Sequence, residues 1–258
     1  MDALTLALIA VALIGVALFV WGRIRASVVA KLLSMAEAGD AKAQYNLGVL
    51  YRDGKGVGQD YGEAVSCFRM AAVQGFAMAQ HNLGLMYALG QGVPQDDAQA
   101  LAWTRKAAEQ GLAQAQHSLG GMYHNGRGVA QDYGQAVAWT RTAAEQGLAE
   151  AQNNLGVMYD KGHGVAQDDV QAVEWYRKAA GQGYVQAQYN LGMMYGMGRG
   201  VPQDYGEAYV WLSLAAAQGD EDAAKLRYFA ASELTPSALS RAKARAAAER
   251  ARLGRGAA

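Results

Sequence analysis

Three features of this sequence are of the kinds that carry out chemistry in proteins: one cysteine, four histidines and short loops of the form G-x-G. A cysteine of lowered pKa is a reactive nucleophile, and histidines held close together bind zinc. Glycine-rich loops can hold phosphate groups when a strand precedes them and a helix follows. The positions of these residues in the chain decide which of these possibilities holds.

The spacing of these residues argues against all three chemistries. Cys67 occupies a column of core tryptophans, 36 residues apart, and we predict that it is a buried apolar residue rather than a reactive thiol. His81 and His117 also lie 36 residues apart, which is not the spacing of zinc ligands. Loops such as Gly54-Lys55-Gly56 lack the third glycine of a dinucleotide site. We therefore predict no catalytic residue, no metal, no cofactor and no enzymatic activity.

The composition narrows the remaining classes of protein. Lys plus Arg and Asp plus Glu both number 23, and this balance argues against a nucleic-acid-binding protein, which would be basic. A single cysteine excludes an intramolecular disulfide framework. Glycine, at 32 of 258 residues, is well above the usual frequency of about 7%. A largely helical chain uses so much glycine only for a structural reason.

That reason is an internal repeat of 36 residues, present five times without insertions from Ala43 onward. Glycines and tyrosines recur at fixed positions, in the columns Gly48, Gly84, Gly120, Gly156, Gly192 and Tyr51, Tyr87, Tyr123, Tyr159, Tyr195. A period of 20–50 residues is typical of a solenoid. We therefore predict an all-α solenoid of helix-turn-helix units.

Each unit is predicted to form two helices. In the fourth unit the apolar spacing gives a first helix from Ala151, a break at Gly162-His163-Gly164 and a second helix ending at Gly183. The glycines inside the first helices predict a close helix–helix approach. A capping box is predicted at the start of every second helix, with Asp60, Asp96, Asp132, Asp168 and Asp204 followed three residues later by Glu63, Gln99, Gln135, Gln171 and Glu207.

The pattern A-Q-x-N-L-G-x-M-Y-x-x-G-x-G-V-x-Q-D-Y resembles the Sel-one-like repeat (SLR), a relative of the tetratricopeptide repeat. The resemblance implies a right-handed α-solenoid that acts as an adaptor for protein complexes, in bacteria often in the cell envelope or in signalling, without enzymatic activity. It divides the chain into a partial repeat or N-terminal cap (28–42), five repeats (43–222), and a C-terminal capping helix with a basic tail (223–258).

The N-terminal residues 1–25 are predicted to be a transmembrane anchor. Ala3 to Gly22 carries no charge and is long enough to span a bilayer, and Trp21 precedes Arg23 and Arg25. The positive-inside rule then places the repeats in the cytoplasm. A cleaved signal peptide is the alternative, with a periplasmic or secreted repeat protein that serves envelope assembly. A cell-wall enzyme is a more distant alternative.

The predicted binding surface is the side of each first helix that faces away from its packed side. There the five units differ from one another, and stacked first helices are expected to line the concave wall. This stripe is predicted to bind one or more proteins or peptides, through Tyr45, Arg52, His81, His117, His124, Asn153, Asp160 and Tyr189. From Ser237 onward six basic residues face one acid. That basic tail is interpreted as a solvated capping helix, with contact to anionic lipid as the alternative.

Overall fold

The structure, a computed structural model, describes residues 28–255, and this part of the chain is all-α. Thirteen helices follow one another in it without a strand. Their bounds are α1 28–37, α2 Ala41–Asp53, α3 Tyr61–Val73, α4 Ala77–Leu89, α5 Asp97–Glu109, α6 Ala113–Asn125, α7 Tyr133–Glu145, α8 Ala149–Lys161, α9 Asp169–Ala180, α10 Val185–Met197, α11 Tyr205–Ala217, α12 Glu221–Ser232 and α13 Pro236–Arg255.

The predicted solenoid of 36-residue helix pairs is confirmed. Helices α2 to α11 form five pairs, each joining a first and a second helix, and α12 and α13 follow the last pair. The chain divides into two compact units, Met1–Gln110 and Gly111–Ala258. Unit 1 contains α1 to α5 and unit 2 contains α6 to α13.

The glycine inside each first helix lies against the second helix of its own repeat, as predicted. In unit 1 a Cβ on Gly84 would lie 2.5 Å from the Thr104 hydroxyl and 3.1 Å from the Ala100 carbonyl oxygen. In unit 2 a Cβ on Gly156 would lie 2.7 Å from the ring of Tyr176. All three distances are shorter than ordinary van der Waals contact, so the close packing of each helix pair requires glycine.

The second helices begin with only half of the predicted capping box. In all five repeats the aspartate accepts a hydrogen bond from the backbone N–H three residues later, at 2.9–3.0 Å. Within the described repeats, the aspartate N–H does not donate the reciprocal bond to the Glu or Gln side chain. It donates instead to a tyrosine carbonyl at the end of the first helix, as Asp168 does to Tyr159 at 3.0 Å. The helix pair itself therefore supplies the second partner.

The core column of the second helix lies one residue after the predicted one. Trp103, Trp139 and Trp175 are only half-buried, and Trp211 is the one tryptophan of that column that is buried. The following residues are the ones that face the helix-interior glycines, and all are buried: Phe68, Thr104, Thr140, Tyr176 and Leu212. A tryptophan is too large for the closest contact and lies at its edge.

Cys67 is buried, as predicted, with 3% of its surface exposed. Burial, with a smaller effect of the nearby Glu63 carboxylate, raises the pKa of its thiol to about 11. The thiol therefore stays protonated at neutral pH and packs with Ala36, Ala43 and Leu47.

The G-x-G loops join the two helices of one repeat and contact the repeat before it. Gly162 ends α8 in the left-handed region, at φ 69°. Gly164, at φ 74°, lies so close to the first residue of α7 that a Cβ would overlap the Tyr133 carbonyl oxygen. Gly200 meets Asp169 in the same way, one repeat further along. These loops are architectural, because the second glycine allows one repeat to touch the backbone of the previous one.

Helix α13 packs on α11 at the end of unit 2. Ala242 and Ala246 are buried against Val210, and Arg245 forms an ion pair with Glu207. Arg252 donates a hydrogen bond to the carbonyl of Gly181 at 3.1 Å. Two of the basic side chains of the tail are thus engaged by the protein itself.

The predicted anchor, Ala3–Gly22, lies outside the described residues. Among the helices within residues 28–255, none is both long and apolar enough to cross a membrane.

Candidate functional site

Unit 2 contains a cavity between the first helices of the third and fourth repeats. Its volume is about 240 Å³. Helix α6 contributes one wall, α8 contributes the other, and the loop after α8 closes one side. We call it the histidine cavity, and the residues that line it are His117, Gly121, His124, Asn125, Thr140, Asn154, Val157, Met158 and His163.

Three of the four histidines of the chain line this cavity. The ring centroids of His124 and His163 are 5.9 Å apart, and the ring of Tyr133 stacks on His163 at 5.5 Å. His124 also meets the edge of Tyr133 at 5.1 Å. Within residues 28–255 no group of His, Cys, Asp or Glu side chains has the arrangement of a metal site. The cavity wall thus contains three imidazoles, with the ring of Tyr133 beside two of them.

His117 is half-buried in the wall of the histidine cavity. Its side chain is 16% exposed, and its Nε2 lies 3.5 Å from the amide nitrogen of Asn154 and 3.7 Å from a carboxylate oxygen of Glu150. Its Nδ1 is buried and has no hydrogen-bond partner in the described part of the chain. Burial lowers the pKa of this imidazole, and the Glu150 carboxylate partly opposes that effect. His117 is therefore neutral at neutral pH, with one ring nitrogen unsatisfied.

Three residues of the predicted stripe, Tyr45, Asn153 and Tyr189, are packed against neighbouring elements and do not lie on the predicted open side of the first helix. Tyr45 packs on Phe68 and Phe76, with ring centroids 5.9 and 5.2 Å apart. Asn153 is 4% exposed and accepts a hydrogen bond from Asn190 at 3.0 Å. Tyr189 packs against the apolar cluster of α11 and α12. A helical wheel of one repeat shows the side that meets its own second helix, but the first helix of the next repeat covers part of the opposite side.

Two further residues of the predicted stripe, Arg52 and Asp160, are bound by neighbouring side chains. In unit 1 Arg52 forms hydrogen bonds with Asn82 at 2.7 Å and Asp53 at 2.8 Å. His81 is half-buried there, and its Nδ1 has no partner among the described residues. In unit 2 Asp160 pairs with Arg199 at 2.5 Å. Of the predicted residues, the structure brings only His117 and His124 together in the histidine cavity.

His163, Asn154 and Tyr133 are neighbours of His117 and His124 that were not among the predicted site residues. A signal existed for His163, because its column also differs between repeats, reading Lys55, Gln91, Arg127, His163 and Arg199. That column belongs to the loop, whereas the predicted stripe lies on the first helix alone. Tyr133 gave no such signal, since a tyrosine also begins two of the other second helices.

The repeated helix pairs of this chain are also found in proteins of known structure. Solved structures of several repeat proteins are similar to the chain, among them the following three. A protective antigen with an SLR fold, present in uropathogenic Escherichia coli strains, is 39% identical over 84% of this chain and 48% of its own, with a TM-score of 0.76. A Sel1 repeat protein from Oxalobacter formigenes is 38% identical over 73% of this chain and 75% of its own, with a TM-score of 0.69. An immunity protein from Pseudomonas aeruginosa is 25% identical over 76% of this chain and 74% of its own, with a TM-score of 0.51.

The chain spans about half the length of the uropathogenic Escherichia coli protein. No curated protein matches it. The Sel1 repeat family matches five consecutive segments, which begin two residues before the units read from the sequence: 41–76, 77–112, 113–148, 149–184 and 185–220. These five matches agree with the five helix pairs of the structure and with the resemblance seen in the sequence. The chain therefore belongs to the Sel1 repeat family.

Proposed function

We propose that this Sel1 repeat protein is a scaffold that binds a protein partner through the histidine cavity of unit 2. Sel1 repeats form a scaffold suited to protein–protein interaction. The observation that carries the proposal is the cluster of His117, His124 and His163 in one cavity, in a chain with only four histidines.

The size and lining of the cavity favour a peptide side chain as its occupant. Pockets for drug-sized ligands have volumes of about 300–1,000 Å³. At about 240 Å³, this cavity has room for one large side chain. Its walls combine imidazoles, asparagine amides and apolar residues such as Val157 and Met158.

The absence of catalysis belongs to this proposal. The only thiol is buried and protonated, and the carboxylates of Asp160 and Asp169 are both bound by Arg199. The hydrogen bonds of these carboxylates raise the pKa of Arg199, and it remains a fixed cation. Such groups hold two repeats together, and a general acid or base needs a pKa near the operating pH.

A double variant of the cavity tests the proposal. His124→Ala with His163→Gln introduces the residues that the second repeat has at the same positions, Ala88 and Gln91, so the fold should be kept. Thr142→Lys, on the outer side of α7 and matching Lys178, is the control. We expect the double variant to capture at least about tenfold less partner than the wild type in a pull-down, and the control to capture it normally. Equal capture by all three proteins would contradict the proposal.

Membrane attachment through residues 3–22, with the repeats in the cytoplasm of a bacterial cell, is the second part of the proposal. It is supported by the uncharged segment Ala3–Gly22 and the arginines that follow it. A periplasmic or secreted form in envelope assembly is the alternative. The exposed basic residues of α13, such as Lys243, are available for anionic lipid.

Cell fractionation tests this second part. The full chain is expected to stay in the membrane pellet after carbonate washing, because a span of about 20 apolar residues inserts stably. Proteases added to spheroplasts should leave the repeats intact. A soluble mature chain that begins near Lys31 would instead identify a cleaved signal peptide.

A further inference from the structure

Three positions on the outer side of the second helix have the same character in the first and last repeats and a different one in the three central repeats. The first position is Glu63 or Glu207 in the end repeats and Gln99, Gln135 or Gln171 in the central ones. The second is Met70 or Leu214 in the end repeats and Lys106, Thr142 or Lys178 in the central ones. The third is Val73 or Ala217 in the end repeats and Glu109, Glu145 or Gly181 in the central ones. Each end repeat therefore combines an acid at the start of its second helix with apolar residues towards its end.

In the last repeat this combination binds a helix. Glu207 forms an ion pair with Arg245 of α13. Leu214 is 3% exposed and lies in the same apolar cluster as Leu253. The contact thus has two parts. The Glu207 carboxylate pairs with Arg245 near the middle of α13, and the Leu214 side chain packs at the C-terminal turn of α13. The amphipathic, alanine-rich helix α13 is the kind of element that such a surface binds.

In the first repeat the same combination lies open to solvent. Met70 is 42% exposed and Val73 is 68% exposed, beside a groove of about 480 Å³ whose floor is the buried Val65. Glu63 is exposed and makes no ion pair with any residue in the described range 28–255. We call the surface formed by Glu63, Ser66, Arg69, Met70 and Val73 the α3 groove. Its one cationic side chain, Arg69, donates a hydrogen bond to the Tyr87 hydroxyl at 2.7 Å. Large apolar side chains exposed together on a soluble surface indicate an interaction site.

We propose that the α3 groove binds an amphipathic α-helix of a protein partner. This helix has small and aliphatic residues on one side and a basic residue that pairs with Glu63, as α13 has for Glu207. Charge complementarity places the basic residue, and the exposed Met70 and Val73 receive the apolar residues of the following turns. The α3 groove belongs to unit 1 and the histidine cavity to unit 2, so this interaction is separate from the one proposed above.

A peptide with the sequence of residues 236–255 is the probe. Within each chain, α13 already occupies the corresponding site on α11 and is held there at a high effective concentration. Added peptide therefore reports on binding to the α3 groove. Labelled peptide is titrated with the full chain in detergent, and binding is followed by fluorescence anisotropy. We expect one saturable site with a dissociation constant on the order of 100 μM, because a free 20-residue peptide loses conformational entropy when it binds as a helix.

The matched variant is Met70→Lys with Val73→Glu, which introduces the residues of the second repeat, Lys106 and Glu109, and should fold normally. We expect it to bind the peptide at least about tenfold more weakly. The Thr142→Lys control should bind like the wild type. The peptide with Arg245→Glu should bind weakly to the wild-type chain and regain affinity for the Glu63→Arg chain, because the two charges are exchanged.

Three results would overturn the proposal. The first is no saturable binding to the wild-type chain. The second is equal affinity of the wild type and the Met70→Lys, Val73→Glu variant, which would place the peptide elsewhere. The third is self-association of the wild-type chain that the same variant abolishes, since the occupant would then be a second copy of this chain and not a partner protein.

Discussion

Replacing Gly164 by alanine is expected to lower the free energy of unfolding by about 2–5 kcal/mol, a large loss for a single added methyl group. Gly164 has a left-handed backbone conformation, which costs a residue with a Cβ about 1–2 kcal/mol. The new Cβ would also overlap the carbonyl oxygen of Tyr133, and relieving such a contact costs about 1–3 kcal/mol. That oxygen is backbone and cannot rotate away.

Gly183→Ala is the control for this variant. Gly183 also has a positive φ, 90°, but a Cβ there would meet no atom within 4 Å. Only the conformational cost of about 1–2 kcal/mol should remain. Urea unfolding followed by circular dichroism measures both variants. Equal losses would show that Gly164 does not hold the fourth repeat against the third by close contact.

The second large effect is expected from alanine substitutions at two adjacent glycines of α6, which should change the stability of the protein in opposite directions. A Cβ on Gly120 would overlap the Thr140 hydroxyl and lie 3.1 Å from the Ala136 carbonyl oxygen. Thr140 is 1% exposed, and the Ala136 carbonyl oxygen and the Thr140 backbone nitrogen, 3.2 Å from the added Cβ, cannot rotate away. We expect Gly120→Ala to destabilise the protein by about 1–3 kcal/mol, with loss spreading into neighbouring repeats.

Gly121→Ala, one residue further along the same helix, should stabilise the protein. A Cβ there meets nothing within 4 Å, and alanine is favoured over glycine in a helix by about 0.5–1 kcal/mol. The melting temperature should fall for the first variant and rise for the second, by about 2–4 °C per kcal/mol. Shifts in the same direction would contradict the packing of α6 on α7.

The repeat period made the fold predictable. Because Gly48 and its counterparts recur at one position, their contact with the second helix could be inferred without coordinates, and the structure confirms it. The aspartate caps were predictable for the same reason. The reciprocal half of the capping box failed because the tyrosine carbonyl of the first helix is a partner remote in sequence, such as Tyr51 for Asp60.

The candidate site was less predictable, because its geometry depends on contacts between repeats. A single helical wheel placed Tyr45 and Asn153 on an open surface, whereas Phe76 and Asn190 pack on them. His117 and His124 were predicted, but the cavity also needs His163 from a loop. The position of that loop follows from the contact of Gly164 with Tyr133, which the sequence does not encode in any short pattern.

Site-specific photo-crosslinking from Asn125 is the most direct test of the claim that the histidine cavity binds a protein. Asn125 is exposed at its edge, and a photoreactive residue there would lie against a bound partner. We expect one crosslinked partner from position 125, lost when His124→Ala and His163→Gln are added, and none from position 142 on the outer side of α7. Crosslinking from position 142 alone, or from position 125 regardless of the two histidines, would contradict the account.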